Sequence, residues 1–157
     1  HDVGKISVPD AILNKPDKLT AEEREVIETH PVRGYEMCRT LGFMKEELEI
    51  IRSHHERWNG TGYPDRLAGE SIPLLARVTA VADVYDALTS SRSYRSAWTH
   101  AQAMSLIQEG SGVHFDPRCV DAWNRVCNRD PQVYEYPSRM ISAHQLPQIE
   151  SPFSSTV

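Results

Sequence analysis

The stretch Pro73-Leu74-Leu75-Ala76-Arg77-Val78-Thr79-Ala80-Val81-Ala82-Asp83-Val84-Tyr85-Asp86-Ala87-Leu88-Thr89 decides the fold class. Leu75, Val78, Ala82, Tyr85 and Leu88 recur at three- or four-residue steps, the period of a helix with one apolar side, and Pro73 suits a first helical turn. Asp83 stands among Val81, Ala82 and Val84, where an unpaired carboxylate is costly. It reads as a metal ligand or as half of a buried ion pair, while Asp86 reads as a structural partner, for instance of an arginine. No alternating run of strand length appears anywhere, and the chain is expected to be all-α, with no internal repeat.

Upstream, the same reading gives a series of shorter helices. His1 to Ile6 reads as the exposed end of a helix, with Asp2 and Lys5 on one face, followed by a short turn through Ala11, Ile12 and Leu13. Thr20-Ala21-Glu22-Glu23 is a capping box that starts a helix at about Ala21, and that helix should yield at His30-Pro31. Val32, Tyr35, Met37, Cys38 and Leu41 form the next apolar stripe, closed by Gly42. Residues 45–55 then deliver His54 and His55 at a helix end, ahead of a loop punctuated by Gly60, Gly62, Pro64 and Gly69. Met37, Met44 and Met104 read as core filler. Trp58 is either a lid over the double histidine or packing beneath the loop.

Downstream, Arg92-Ser93-Tyr94-Arg95 is a basic turn, and a helix is expected from about Thr99 to Glu109. Asp116-Pro117 opens a last helix with Val120, Trp123 and Val126 on its apolar side; His114 and Asp116 shape its start, and His100 and His144 read as surface residues. Residues 1–128 are therefore taken as one helical domain. Residues 129–157, with their prolines and serines, are expected to form a disordered tail.

Composition narrows the function classes. The chain has 157 residues, 39% hydrophobic and 25% charged, enough for one domain with its own core. A net charge of −5 with no basic block disfavours duplex nucleic acid as a partner. No apolar run reaches the ~18 residues of a membrane span, no signal-peptide pattern opens the chain, and a cytoplasmic location is the default. Cys38, Cys119 and Cys127 are odd in number and form no CxxC pair, which reads as reduced, partly buried thiols. Because the first residues, His1 and Asp2, look like working residues, the sequence is expected to be a piece of a longer protein.

His1, Asp2, His30, His54, His55 and Asp83 are imidazoles and carboxylates without a thiolate among them, a donor set suited to Fe, Mn, Co, Ni or Zn. Asp2 is the natural carboxylate to bridge two ions. A two-metal centre suits phosphodiester hydrolysis, in which Lys5 would neutralise phosphoryl oxygens or assist the leaving group and Arg92 and Arg95 would hold a remaining phosphate. The structural alternatives are a surface pair at His1-Asp2, a helix-terminal His30, one packed and one exposed histidine at His54-His55, and a solvated basic turn at Arg92 to Arg95.

Taken in order, His1-Asp2-Val3-Gly4-Lys5-Ile6, His30-Pro31, His54-His55-Glu56, Gly60-Thr61-Gly62-Tyr63-Pro64, Ala80 to Thr89, Arg92 to Arg95 and Gly112-Val113-His114-Phe115-Asp116-Pro117 resemble the HD-GYP family. These are bacterial cyclic di-GMP phosphodiesterases within the HD metal-phosphohydrolase superfamily. The resemblance covers about Asp2 to Trp123. It implies an HD-type helical bundle, lacking its first helices, around a binuclear or trinuclear iron or manganese centre. In that pattern His1, Asp2 and Asp83 serve the first metal, Asp2 bridges, and His30, His54 and His55 serve the second. Lys5 assists catalysis, Gly62, Tyr63 and Pro64 line the substrate or partner surface, and Arg92 and Arg95 bind phosphate. The product would be pGpG, with GMP beyond it. The implied alternative is a catalytically weak or silent module that binds cyclic di-GMP or a diguanylate cyclase (GGDEF) partner. Two departures stand out: the family draws further ligands, a histidine included, from a helix before the HD pair, and Ser93 stands where the family commonly has proline. An upstream receiver or sensor domain is expected in the parent protein.

Overall fold

A computed structural model describes residues 1–91 and 96–129, and within them the backbone forms helices, turns and two isolated bridges, Asn59 with Ala68 and Ser111 with Phe115. A 3-10 helix over Val3–Ser7 leads into α1 (Asp10–Leu13), α2 (Ala21–Glu28), α3 (His30–Thr40), α4 (Lys45–Ser53), α5 (Leu74–Thr89), α6 (His100–Glu109) and α7 (Pro117–Arg129). The all-α expectation holds. Of the tail expected over 129–157, Arg129 instead closes α7, and the rest, like the Arg92 to Arg95 turn, lies outside the described residues.

The local signals work as chemistry predicts. Thr20 accepts from the Glu23 N–H at 3.2 Å, and Glu23 accepts from the Thr20 N–H at 2.8 Å, so two otherwise unpaired donors at the start of α2 are satisfied. Lys15 adds a further pair to Glu23 at 2.7 Å. A second such box, Thr99 with Gln102, starts α6. Pro31 falls in the first turn of α3, where it costs no intrahelical bond, so the break between α2 and α3 is at Thr29 and His30 opens α3 instead of ending α2.

Helix α5 is the spine, packed against α4, α6 and α7. Val81, Ile107, Phe115, Cys119 and Val120 form one buried cluster around it, and Leu88, Ala103 and Leu106 form a second. A third, Cys38, Leu48 and Ile51 with Tyr35 against it, joins α3 to α4. All three cysteines are buried and unbridged, as their number and spacing suggested.

Several expected core positions are corrected. In α5 the buried residues are Ala76, Val81 and Leu88, while Leu75 and Val78 are exposed. A helix apolar nearly all round has no single face to read, and contacts from three neighbours choose it. Met37, Leu41 and Met44 are exposed at the α3–α4 turn, and Val126 on α7 is exposed where Cys119 and Cys127 are buried. His1 to Ile6 is not the end of an α-helix but a lead-in and a 3-10 turn, the form short pieces take. His100 accepts or donates a 2.8 Å bond with the Tyr85 hydroxyl and is not a plain surface residue. Among the described residues, Asp86 receives the Ser90 hydroxyl at 3.2 Å.

The joint between α5 and α7 is a buried ion pair. Arg77 meets Asp116 at 2.6 Å with side chains 10% and 1% exposed, and Arg118 reaches the same carboxylate at 3.3 Å. Burial raises the Asp116 carboxyl, but the Arg118 N–H and guanidinium and Arg77 outweigh it and hold the group below its ordinary value. A depressed carboxylate contributes stability above its unfolded pKa of about 4, and that contribution is lost as pH falls through the folded value. Asp116→Asn, which leaves Arg77 buried without a counter-charge, is expected to cost about 3–5 kcal/mol by urea titration at pH 7. The difference between variant and parent should shrink below pH 4; a constant difference would show that the charge is not what matters.

Candidate metal centre

Four separate elements bring their donors to one place. Asp2 caps the 3-10 turn, His30 opens α3, His54 caps the end of α4 with His55 next, and Asp83 lies midway along α5. The turn reaches α3 because Gly4 and Gly34 lack side chains: a Cβ on Gly4 would overlap the His30 carbonyl oxygen, and one on Gly34 would come within 3.1 Å of the Gly4 nitrogen. Those two glycines set the distance from Asp2 to His30.

Two backbone acceptors fix how the histidines present themselves. His30 Nδ1 lies 2.8 Å from the Ile27 carbonyl and His54 Nδ1 lies 3.0 Å from the Ile51 carbonyl. A carbonyl oxygen only accepts, so each Nδ1 carries the proton and each Nε2 presents a lone pair. The two Nε2 atoms then face each other at 3.4 Å, with Asp2 Oδ1 3.3 Å from the first and 3.8 Å from the second. His30 and His54 are almost fully buried, and Asp2 Oδ1 is buried with no hydrogen-bond partner. Facing lone pairs at this spacing repel one another, and a cation between them, a metal ion or a proton, relieves that repulsion. His55 joins the same set, with one donor atom from each of Asp2, His30, His54 and His55 lying within 4.8 Å of the others.

The other oxygen of Asp2 faces a second group. Lys5 Nζ is 2.6 Å from Oδ2, His1 Nε2 is 3.9 Å from it, and His1 Nε2 is also 3.4 Å from Asp83 Oδ1. Thus all six residues singled out as ligands are brought together, with Asp2 between the two poles. The donor set fits a divalent transition metal.

Electrostatics agree with that use. Burial, then His54 and His30, push the His55 imidazole down to about 3, so it stays neutral with a free lone pair. Burial raises Asp2, but His30, His54 and Lys5 outweigh it and hold its carboxyl well below the carboxylate range. Burial, and after it the Asp2 charge, raise the Asp83 carboxyl.

The glycine loop folds back on the double histidine. Gly62 is buried, and a Cβ there would come within 2.6 Å of the His55 carbonyl. Tyr63 stacks on His55 at 4.8 Å and 27°, and its N–H donates to the His55 carbonyl at 3.3 Å. Pro64 is half-buried beside it. Glu56, 3% exposed, accepts from the Asp65 and Leu67 N–H groups at 2.7 and 3.1 Å and so holds the loop closed. The Arg77 guanidinium lies 5.8 Å over the Trp58 ring.

Sequence reasoning missed Glu56 as the loop's anchor, Gly4 and Gly34 as spacers, and Arg57 and His114, which line a recess with His54, His55 and Asp83. The position of Gly112 to Pro117 within the ordered series of motifs was the available signal for His114. Arg92 and Arg95 are not among the described residues.

A family profile described as HD domain matches residues 1–119. A cyclic di-GMP phosphodiesterase of Vibrio cholerae serotype O1 is 51% identical over 130 residues, covering 78% of this chain and 26% of that protein. The cyclic di-GMP phosphodiesterase response regulator RpfG of Xanthomonas campestris pv. campestris is 51% identical over 124 residues, 78% of this chain and 33% of its own. The 3'3'-cGAMP-specific phosphodiesterase 2 of Vibrio cholerae is 44% identical over 123 residues, 77% of this chain and 24% of its own. The chain therefore spans between a quarter and a third of these relatives. The crystal structure of a cyclic GMP-AMP-specific phosphodiesterase of V. cholerae, V-cGAP3, superposes with a TM-score of 0.59 at 24% identity, over 88% of this chain and 37% of that one, a likeness of fold. Ordered motifs, a helical bundle and a profile over most of the chain lead to one conclusion: the chain belongs to the HD domain family, and its motifs are those of the HD-GYP proteins.

Proposed function

We propose that this chain carries the catalytic domain, residues 1–128, of a bacterial cytoplasmic phosphodiesterase that opens cyclic di-GMP to pGpG and, by a second cut, to GMP. The convergence of the His30 and His54 Nε2 atoms on the buried Asp2 Oδ1 carries the reading. The names of the relatives at 51% identity support the choice of cyclic di-GMP within the cyclic dinucleotides.

His1, Asp2 and Asp83 would hold one metal and His30, His54 and His55 another, with Asp2 shared, as iron or manganese in a binuclear or trinuclear centre. Such ions supply Lewis acidity toward a phosphate oxygen and lower the pKa of the attacking water. Water adds to phosphorus and the P–O3′ bond breaks, leaving a 5′-phosphate and a 3′-hydroxyl. Lys5, held by Asp2 at 2.6 Å, neutralises phosphoryl charge or assists the departing 3′-oxygen. Gly62, Tyr63 and Pro64 form the substrate wall, Gly62 by letting the loop close and Tyr63 by its ring. Burial raises the Tyr63 phenol, so it stays protonated and able to donate. Arg92 and Arg95 would hold the second phosphate.

A second reading rests on the first metal pole, where the described residues offer His1, Asp2 and Asp83 with Lys5 already bonded to Asp2. Such a module would bind cyclic di-GMP or a GGDEF partner without turnover, under an upstream receiver or sensor domain. Metal content by mass spectrometry with cyclic di-GMP and 3'3'-cGAMP turnover by chromatography separates the readings. Two or more bound ions with both nucleotides left intact would overturn the enzyme.

Two variants test the centre. Asp2→Ala is expected to remove all site metal, since both poles share its carboxylate; loss of one ion alone would contradict bridging. Gly4→Ala forces the turn off the His30 backbone and is expected to cost about 1–3 kcal/mol. Its metal affinity should fall while its circular dichroism stays helical; an unchanged affinity would refute the spacer role.

A further inference from the structure

Beside the candidate centre lies a recess of about 120 Å³, lined by His54, His55 and Asp83 and also by Arg57 and His114. Arg57 is one of three half-buried arginines among the described residues. Arg52 is held by Asp65 through two bonds of 2.7 and 2.8 Å, and Arg77 by Asp116 at 2.6 Å. Arg57 has no carboxylate partner among the described residues. Its neighbour Glu56 instead accepts backbone N–H groups at Asp65 and Leu67.

The position of Arg57 is built, not incidental. The Gly60 N–H donates to the Arg57 carbonyl at 2.8 Å, and Gly62 lies directly against the Arg57 nitrogen. The next two residues tie the opposite wall in place: Trp58 N–H donates to the His114 carbonyl at 3.1 Å and Asn59 N–H to the Val113 carbonyl at 3.0 Å. The guanidinium is close enough that, after burial, it is what pushes the His114 imidazole down. A cation partly removed from water, beside a cluster suited to metal cations, is repelled by what that cluster binds. An anion seated between them removes the repulsion. A phosphodiester offers paired non-bridging oxygens that match a guanidinium fork.

We infer that Arg57 contacts a non-bridging phosphate oxygen of the substrate in the recess beside His54, His55 and Asp83. The assignment deepens the proposed phosphodiesterase and rests on that reading for its cyclic dinucleotide, though not for phosphate itself. It names a positively charged contact separate from Lys5 and from Arg92 and Arg95.

The test uses the metal-loaded chain with two probes, inorganic phosphate and cyclic di-GMP, each titrated by calorimetry into the parent, Arg57→Gln, Arg57→Lys and, as a control for net charge, Arg33→Gln on the exposed side of α3. Arg57→Gln is expected to weaken phosphate binding about 10- to 100-fold, the scale of a charge-assisted hydrogen bond. Arg57→Lys should recover part of that loss, and Arg33→Gln should cost nothing. Metal content and melting temperature should not change. If cyclic di-GMP binds to none of them while phosphate keeps its dependence on Arg57, the cyclic dinucleotide reading fails and the Arg57 assignment stands. Equal phosphate affinity in parent and Arg57→Gln overturns the assignment. So does a loss that tracks metal content or melting temperature, which would mark Arg57 as a structural residue.

Discussion

Asp2 meets His30 because Gly4 has no side chain. Every feature of the centre depends on that contact between the 3-10 turn and the backbone of α3, since only there does the carboxylate come between the two histidine poles. The ligands come from parts of the chain that are far apart in sequence, and no single helix could supply them. Glycine is used twice for the same purpose, at the Gly4–Gly34 crossing and again at Gly62, where the loop is laid against the His55 to Arg57 backbone. In each case a missing Cβ brings backbone close enough for side chains elsewhere to meet.

The loop and the double histidine form one unit. Tyr63 stacks on His55, Gly62 lies under it, and Glu56 closes the loop through two backbone bonds. A division in which the histidines hold metal and the glycine loop faces outward is therefore too simple. Moving the loop moves the ring of a candidate ligand. Trp58, whose ring lies under the Arg77 guanidinium, links the same loop to the ion pair at Asp116 and so to the joint between α5 and α7.

The helical fold and the residues that cluster at the candidate centre were legible in the sequence, and the reasons are physical. The capping box at Thr20 and the ordered histidine and aspartate motifs are local statements, readable without knowing what packs where. The buried face of α5 was not readable, because Leu75, Val78, Val81 and Val84 surround the helix and three neighbours determine which of them are covered. Glu56 carried a misleading sign: a carboxylate beside two histidines looks like chemistry, yet its oxygens accept from the loop backbone. Arg57 and His114 were hidden for another reason. Their significance lies in a recess formed by residues more than fifty positions apart, which no local pattern announces.

The carbonyls that orient the two buried histidines also have a collective effect. Ile27 lies in the last turn of α2 and Ile51 in the last turn of α4, so both helices end with their carbonyl groups at the candidate centre. A helix C-terminus carries a partial negative charge of about half an electron. Two of them directed at one small volume make a standing field that favours a cation there. That field belongs to the backbone and does not depend on any one ligand side chain, so the centre retains a preference for positive charge even where a histidine or aspartate is replaced.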